Sequence, residues 1–224
     1  MMGVLVINGS PRRSRSVTLR LAMAFVEGMG APAEVVETSG AGIEPCRACF
    51  SCWYRTPGRC VQRDAGAEIL EKLKACDAVI WAIPLFSYSA PSECKALMDR
   101  MVSLIDPKLI VGEDGLSRHP GYEDGSKPAV LISSAGQPDV KGNFDALVFQ
   151  LRRMFGQNTQ TVLCAEGPLF FLKGNERWTE PYLAAVRRAG AEFAACGRIP
   201  EEIQRVLDSL MMPRDEFIRY MNRE

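Results

Sequence analysis

Five strand-length runs, most of them apolar almost throughout, alternate with stretches of helical spacing along the 224-residue chain: Val4–Ile7, Glu34–Thr38, Ala78–Ile83, Ala129–Ser133 and Thr159–Ala165. A run that is apolar at every position is suited to burial on both faces, the situation of a strand in a parallel sheet covered by helices. Helical patterns lie between the runs: Leu19–Met29 ending at Gly28 or Gly30, a helix capped by Asp64 through Lys74, one capped by Ser92 through Leu104, then Phe144–Phe155 and Trp178–Cys196. This order predicts an α/β domain over residues 1–196, a doubly wound five-stranded parallel sheet with helices on both faces. A helical C-terminal extension follows over 197–224, with Ile203, Val206, Leu207 and Leu210 at helical spacing and a last short helix after Pro213. Right-handed crossovers gather the strand C-termini on one edge, and ligands bind there at the reversal of strand order.

The loop after the first run carries the strongest chemical signal. Asn8-Gly9-Ser10-Pro11 is a turn, and Arg12, Arg13, Ser14, Arg15, Ser16 and Thr18 lead into a helix. First-turn amides lack intrahelical partners and the helix dipole favours an anion, so a hydroxyl- and Arg-rich loop here reads as a phosphate site, with Ser16 or Thr18 doubling as N-cap. Neither a G-x-x-x-x-G-K-[ST] loop nor a G-x-G-x-x-G fingerprint occurs, which excludes the two commonest owners of such a loop.

Basic and acidic residues balance at 27 each, which argues against a general nucleic-acid binder or a membrane-surface protein. No apolar run approaches the roughly 20 residues of a membrane span, and the first apolar stretch precedes its arginines, the reverse of a secretion signal. The expectation is a cytoplasmic protein with reduced thiols. The single histidine, His119, precedes Pro120 in a polar segment and is expected to be an exposed loop residue, so histidine chemistry is not anticipated.

Eight cysteines are present, four of them spaced C-x2-C-x2-C-x7-C at Cys46, Cys49, Cys52 and Cys60, within a loop spanning 44–62. Three close thiolates and a fourth nearby satisfy the ligand count of a [4Fe–4S] cluster. Free thiols, zinc or a disulfide remain alternatives. Cys76, Cys94, Cys164 and Cys196 fall in core-like elements and are expected to pack. Lys95, Asp99 and Arg100 are expected to form an ion pair on a helix face. Residues 106–127 form a polar, Gly-rich insertion.

Three motifs together resemble the flavodoxin-like NAD(P)H-dependent FMN reductases, a family that includes the iron–sulfur flavoproteins. They are N-G-S-P-R at Asn8–Arg12 with S-x-T at Ser16–Thr18, I-P-L-F-S-Y-S-A-P-S-E-C-K-A-L-M-D-R at Ile83–Arg100, and the cysteine-rich loop. Val17 stands where the family often has Asn, and Phe86 where it often has Tyr.

The resemblance implies FMN, its phosphate on Ser10, Arg12, Ser16, Val17 and Thr18. Its ring would lie on Pro84, Leu85, Phe86, Ser87 and Tyr88, with Ser133, Ser134 and Gly136 on a further side. It implies an oxidoreductase using NAD(P)H as co-substrate and a small-molecule electron acceptor, with no catalytic acid or base of its own. A homodimer or tetramer is implied, with the insertion as an arm reaching the partner or closing over the ring. The alternative implied is an electron carrier linking FMN, a [4Fe–4S] cluster on the four cysteines and a ferredoxin-like protein. A redox-sensing module without flavin is a third reading.

Overall fold

The structure is a computed structural model that describes residues 3–112, 115–121 and 127–223. The remaining positions of the expected insertion (113, 114 and 122–126), residues 1 and 2, and residue 224 of the extension lie outside the described residues. In chain order the elements are β1 (Val4–Asn8), α1 (Val17–Met29), β2 (Ala33–Glu37), α2 (Ser51–Tyr54), α3 (Ala65–Ala75), β3 (Ala78–Pro84), α4 (Ser92–Arg100), β4 (Ile110–Val111), β5 (Ser117–Arg118), β6 (Ala129–Ser134), α5 (Asp145–Phe155), β7 (Gln160–Cys164), α6 (Glu176–Cys196), α7 (Glu201–Leu207) and α8 (Arg214–Asn222). Short 3-10 turns cover Arg13–Arg15, Met101–Leu104 and Gly167–Phe171.

Five strands form one parallel sheet in the order β2-β1-β3-β6-β7, the flavodoxin-like arrangement. Both faces are buried. Val4, Val6, Ile80, Ala82, Val130, Ile132 and Val162 pack toward α1, α6 and α7, whereas Leu5, Ile7, Val79, Trp81, Ile83, Leu131 and Leu163 pack toward α3, α4 and α5. The chain leaves β1 to one face and β2 to the other, so the reversal of strand order lies between β1 and β3.

Glycines set the α1–α6 crossing. A Cβ on Gly28 would stand 1.9 Å from the Arg187 carbonyl oxygen, and one on Gly190 would stand 2.0 Å from that of Phe25. Gly28 therefore lies inside α1 for close packing, and the left-handed Gly30 (φ 61°) ends the helix. Residues after Cys196 share the main core: Ile203 and Leu207 of α7 lie against the α1–α6 face, and Phe217 of α8 packs with Leu169 and Met212.

Asp64 caps α3 as expected, its side chain accepting from the Ala67 amide at 3.1 Å. Ser92 does not cap α4: Pro91 occupies the N-cap, and the helix stops at Arg100 before a 3-10 turn. Cys94 and Cys164 are core residues whose burial pushes their thiols up to about 12. Cys196 is a correction, being exposed at the end of α6 with its Sγ on the Glu192 carbonyl at 3.1 Å.

Candidate functional site

The loop after β1 is organised by Asn8, a fully buried side chain. Its Oδ1 accepts from the Ser10 amide at 3.1 Å, and its Nδ2 donates to Glu37 Oε2 at 2.8 Å and to the Arg13 carbonyl at 3.3 Å. Ser10 Oγ accepts from the Arg12 amide at 3.3 Å, so this hydroxyl shapes the turn. Ser16 is the N-cap of α1, accepting from the Leu19 amide at 3.2 Å, which starts the helix at Val17. Arg20 already bonds back to the Ser16 carbonyl. The Val17 and Thr18 amides are thus first-turn donors without an acceptor among the described residues, as an anion site requires.

Ser134, at the end of β6, joins three loops. Its Oγ lies 2.9 Å from Thr18 Oγ1 at the start of α1, and its carbonyl accepts from the Leu85 amide at 2.9 Å. Pro84, the last residue of β3, pairs with it across the sheet. The loops after β1, β3 and β6 therefore converge on the strand C-terminal edge, beside the reversal between β1 and β3.

Beyond Leu85 the chain makes a two-residue turn, Phe86 and Ser89 exchanging backbone hydrogen bonds of 2.9 Å in both directions. Its central residues, Ser87 (φ 47°) and Tyr88 (φ 64°), are both left-handed. Such backbone costs of order 1–3 kcal/mol per residue and recurs at ligand clamps. The turn leaves Phe86 and Tyr88 about half exposed, two aromatic surfaces beside the loop junction.

Two expected side chains are placed elsewhere. Ser133 is fully buried and its Oγ has no hydrogen-bond partner among the described residues. Adjacent strand residues point to opposite faces, so Ser133 turns toward the α3–α5 side while Ser134 faces α1. Arg12 lies with its Cζ 4.7 Å from the Phe171 ring centroid, drawn toward the 3-10 turn after β7. Gly136 is exposed in the loop after β6, with room above it.

The second candidate region is the cysteine loop. Ala48 (φ 49°) and Phe50 (φ 50°) turn the backbone so that Cys46, Cys49, Cys52 and Cys60 line one pocket of about 280 Å³ together with Gln62, Arg100 and Ser103. Asp64 closes the loop, its Oδ2 accepting from the Glu44 amide at 2.9 Å and from Arg100 Nη1 at 2.5 Å. Burial works against the charged form, but hydrogen bonds from Arg100 and from the Glu44 and Ala67 amides hold the Asp64 carboxyl below its ordinary range. The exposed Cys49 thiol is lowered by the Ser51 amide and hydroxyl, whereas burial and the other three cysteines raise Cys52.

In number and chemical type the four thiols fit an iron–sulfur cluster. Among the described residues no group of three Cys, His, Asp or Glu side chains is placed to hold a single ion. A cubane differs in that each thiolate binds a different iron, so its sulfurs surround a volume instead of meeting at a point.

Lys95 and Asp99 form the expected i,i+4 pair at 2.5 Å, but Arg100 leaves that face and is buried beneath the cysteine loop. His119 is also a correction: it is half-buried, its ring centroid 5.1 Å from that of Trp53, and its Nδ1 lies within reach of the Asp106 and Lys108 carbonyls. It thereby ties the inserted segment to the cysteine loop. The organising roles of Asn8 and Arg100 are the functional features that sequence reasoning missed.

A larger cavity of about 420 Å³ lies at the opposite edge of the sheet, lined by the starts of β1 and β2 and the end of α3. Lys72 and Glu34 there pair with each other, and the cavity is remote from the converging loops.

The sequence model described as "NADPH-dependent FMN reductase" matches residues 2–166. An iron-sulfur flavoprotein of Methanosarcina thermophila is 34% identical over 105 residues, 46% of this chain and 54% of its own length. An FMN-dependent NADH:quinone oxidoreductase of Nostoc punctiforme is 24% identical over 170 residues, 70% of this chain and 81% of its own. The chain spans about half the length of the iron-sulfur flavoproteins it matches.

The fold is shared with solved structures of other proteins. An NAD(P)H:quinone oxidoreductase from Methanothermobacter marburgensis has a TM-score of 0.62 at 19% identity, covering 86% of this chain and 96% of that one. An FMN-dependent NADH-azoreductase from Bacillus anthracis, in complex with FMN, has a TM-score of 0.61 at 18% identity, covering 87% and 100%. The family match takes in both the phosphate-type loop and the aromatic turn that Ser134 draws together, and the chain belongs to the NADPH-dependent FMN reductase family.

Proposed function

We propose that this chain binds FMN where the loops after β1, β3 and β6 meet, and acts as an NAD(P)H-dependent oxidoreductase toward a small acceptor such as a quinone. The observation that carries this reading is the junction at Ser134, which sets two open first-turn amides beside an exposed aromatic turn at the reversal of strand order.

The Val17 and Thr18 amides donate to the phosphate, the Ser16 and Thr18 hydroxyls stand beside them, and the positive end of α1 supports the negative charge. Arg13, whose Nη2 donates to the Ser39 carbonyl at 3.0 Å, braces the loop from the β2 side. Leu85, Phe86 and Tyr88 give the ring an apolar floor, and the rigid left-handed turn fixes that floor in place. Bound FMN supplies acceptance of a hydride from the nicotinamide and delivery of electrons to the acceptor. The chain's own share is binding, orientation and restriction of water at the ring.

The test is FMN titration of the apoprotein, followed by quenching of flavin fluorescence. Thr18→Ala removes a hydroxyl at the junction and is expected to weaken FMN about tenfold, equivalent to ~1.4 kcal/mol. Unchanged affinity contradicts the phosphate assignment. NAD(P)H-driven reduction of a quinone by the loaded protein tests the activity.

A second reading rests on the cysteine pocket. There Cys46, Cys49, Cys52 and Cys60 would hold a [4Fe–4S] cluster, which would supply one-electron exchange with the flavin and with a ferredoxin-like protein. The gathering of all four thiols on one pocket with a buried cation supports it. The FMN reductase reading includes a homo-oligomer, supported by Leu109, Ile110, Val111 and Leu116, which stand exposed on the β4–β5 arm as an apolar surface suited to a second copy. Among the described residues no helix is long and apolar enough to cross a membrane.

A further inference from the structure

Arg100 is a buried cation with unused hydrogen-bonding capacity. It is 1% exposed, yet its contacts with Asp64 and the Glu44 carbonyl both run through Nη1, at 2.5 and 3.3 Å. Its Nε and Nη2 are buried without a hydrogen-bond partner among the described residues. An arginine meeting a carboxylate commonly engages it through two parallel hydrogen bonds. Here the contact runs only from Nη1 to Asp64 Oδ2, while Oδ1 accepts the Ala67 amide at the cap of α3.

The chain also makes room for the guanidinium. A Cβ on Gly66 would stand 2.5 Å from Arg100 Nη1 and 3.0 Å from Cζ. Gly66 lies in the first turn of α3, and the space it leaves is filled by Arg100. Arg100 lines the same pocket as Cys60 and the other three cysteines, and Ser103 Oγ is a further buried hydroxyl without a partner among the described residues. The acidic lining residue Asp99 is engaged by Lys95 on the helix surface.

Buried donors left open beside thiolates call for an acceptor that arrives with a bound group. A thiolate-ligated iron–sulfur cluster is such an acceptor: it carries net negative charge, and its sulfurs accept N–H hydrogen bonds that tune its potential. We propose that Arg100 is the counter-cation of this pocket, donating Nε–H and Nη2–H to the sulfurs of the cluster and raising its reduction potential. This inference rests on the second reading above. Adding an electron makes the cluster more negative, so a fixed positive charge stabilises the reduced form more than the oxidised form. Arg100 is in this sense a positioning and tuning residue.

The experiment is anaerobic reconstitution of the full chain with iron and sulfide. Iron and acid-labile sulfide are assayed, and the cluster's midpoint potential is measured by EPR-monitored titration, with the FMN potential as internal control. Arg100→Gln is expected to lower the cluster potential by about 59 mV or more, a tenfold change in a one-electron equilibrium. Arg100→Lys, which keeps the charge but loses the planar fork, is expected to give a smaller fall. Asp64→Asn removes a neighbouring negative charge and is expected to shift the potential upward.

A purely structural role would reduce loading without moving the potential of the clusters that do form. Loaded Arg100 variants with the wild-type potential therefore overturn the proposal and leave the cluster reading intact. If neither Arg100 variant takes up iron, an unmoved potential in Asp64→Asn overturns it. If wild-type protein takes up no iron or sulfide, the cluster reading falls and this inference falls with it.

Discussion

The two candidate regions are built in opposite ways. Around the β1 loop, the chain meets most of its own polar demand: Asn8 braces the turn, Ser16 caps α1 and Ser134 bonds to two neighbouring loops. What stays open is a pair of amides and an aromatic surface. In the cysteine loop the open groups are side chains, namely Arg100 Nε and Nη2 and the Ser103 hydroxyl, beside a cavity that four cysteines line. The first region is preorganised and needs only its ligand. The second leaves buried polar atoms that protein contacts alone do not satisfy, so it is completed by whatever it binds.

That contrast can be broken at its anchors. The largest effect is expected from Asp64→Ala, which removes the cap of α3 and leaves Arg100 buried without its carboxylate. The destabilisation is expected to be about 3–5 kcal/mol, read from urea unfolding at pH 7. The Asp64 carboxyl is depressed in the folded state, so its contribution is present above the ordinary aspartate value of about 3.9 and is lost as pH falls through the folded value. The gap between wild type and Asp64→Ala should accordingly narrow in acid below about pH 4.

Asn8→Ala should cost less, about 2–3 kcal/mol, by leaving the buried Ser10 amide without its acceptor. It should weaken FMN binding at the same time, whereas Asp64→Ala should leave the affinity of the folded fraction for FMN unchanged. A flavin titration on both variants checks this separation of the two regions.

The smallest effect concerns Glu166, a third buried polar group that stands outside both regions. One carboxylate oxygen accepts from the Met211 and Met212 amides at 2.5 and 3.2 Å, fixing the segment between α7 and α8, while Oε1 has no partner among the described residues. Burial raises this carboxyl in spite of the two amides. The folded chain therefore holds the proton more tightly than the unfolded chain. The associated stability is full below about pH 4.3 and declines as pH rises through the folded value. Glu166→Gln keeps an acceptor for the amides and removes the charge, so at pH 7 it should lie within about 1 kcal/mol of wild type or exceed it. A loss of several kcal/mol would contradict this account of the carboxylate.

The sheet was legible in the sequence because runs apolar on both faces admit few arrangements, and the five expected strands correspond to β1, β2, β3, β6 and β7. Ser16 and Asp64 were readable as caps because capping is local. The same double-sided burial hides direction, however. With no polar face to mark parity, Ser133 and Ser134 look alike in sequence, yet one hydroxyl turns into the core and the other to the loop junction.

Arg100 was obscured for a different reason. Its partner Asp64 is 36 residues away, and Lys95–Asp99–Arg100 read alone looks like an ordinary solvated helix face. His119 likewise looks like a loop residue until the fold sets it against Trp53. The left-handed Ser87 and Tyr88 carry no glycine to announce them; the Phe86–Ser89 pairing shows the turn only once the backbone is in view.

The most direct measurement is a visible spectrum of anaerobically purified protein, with iron and acid-labile sulfide assayed on the same sample. Flavin bands near one FMN per chain are predicted, overlaid by a broad shoulder with iron and sulfide near four each where the cysteine pocket is filled. Flavin without iron would leave the β1 loop account standing and remove the cluster from the cysteine pocket. No flavin, even after FMN is added in excess, would contradict the central claim that the Ser134 junction is a flavin site.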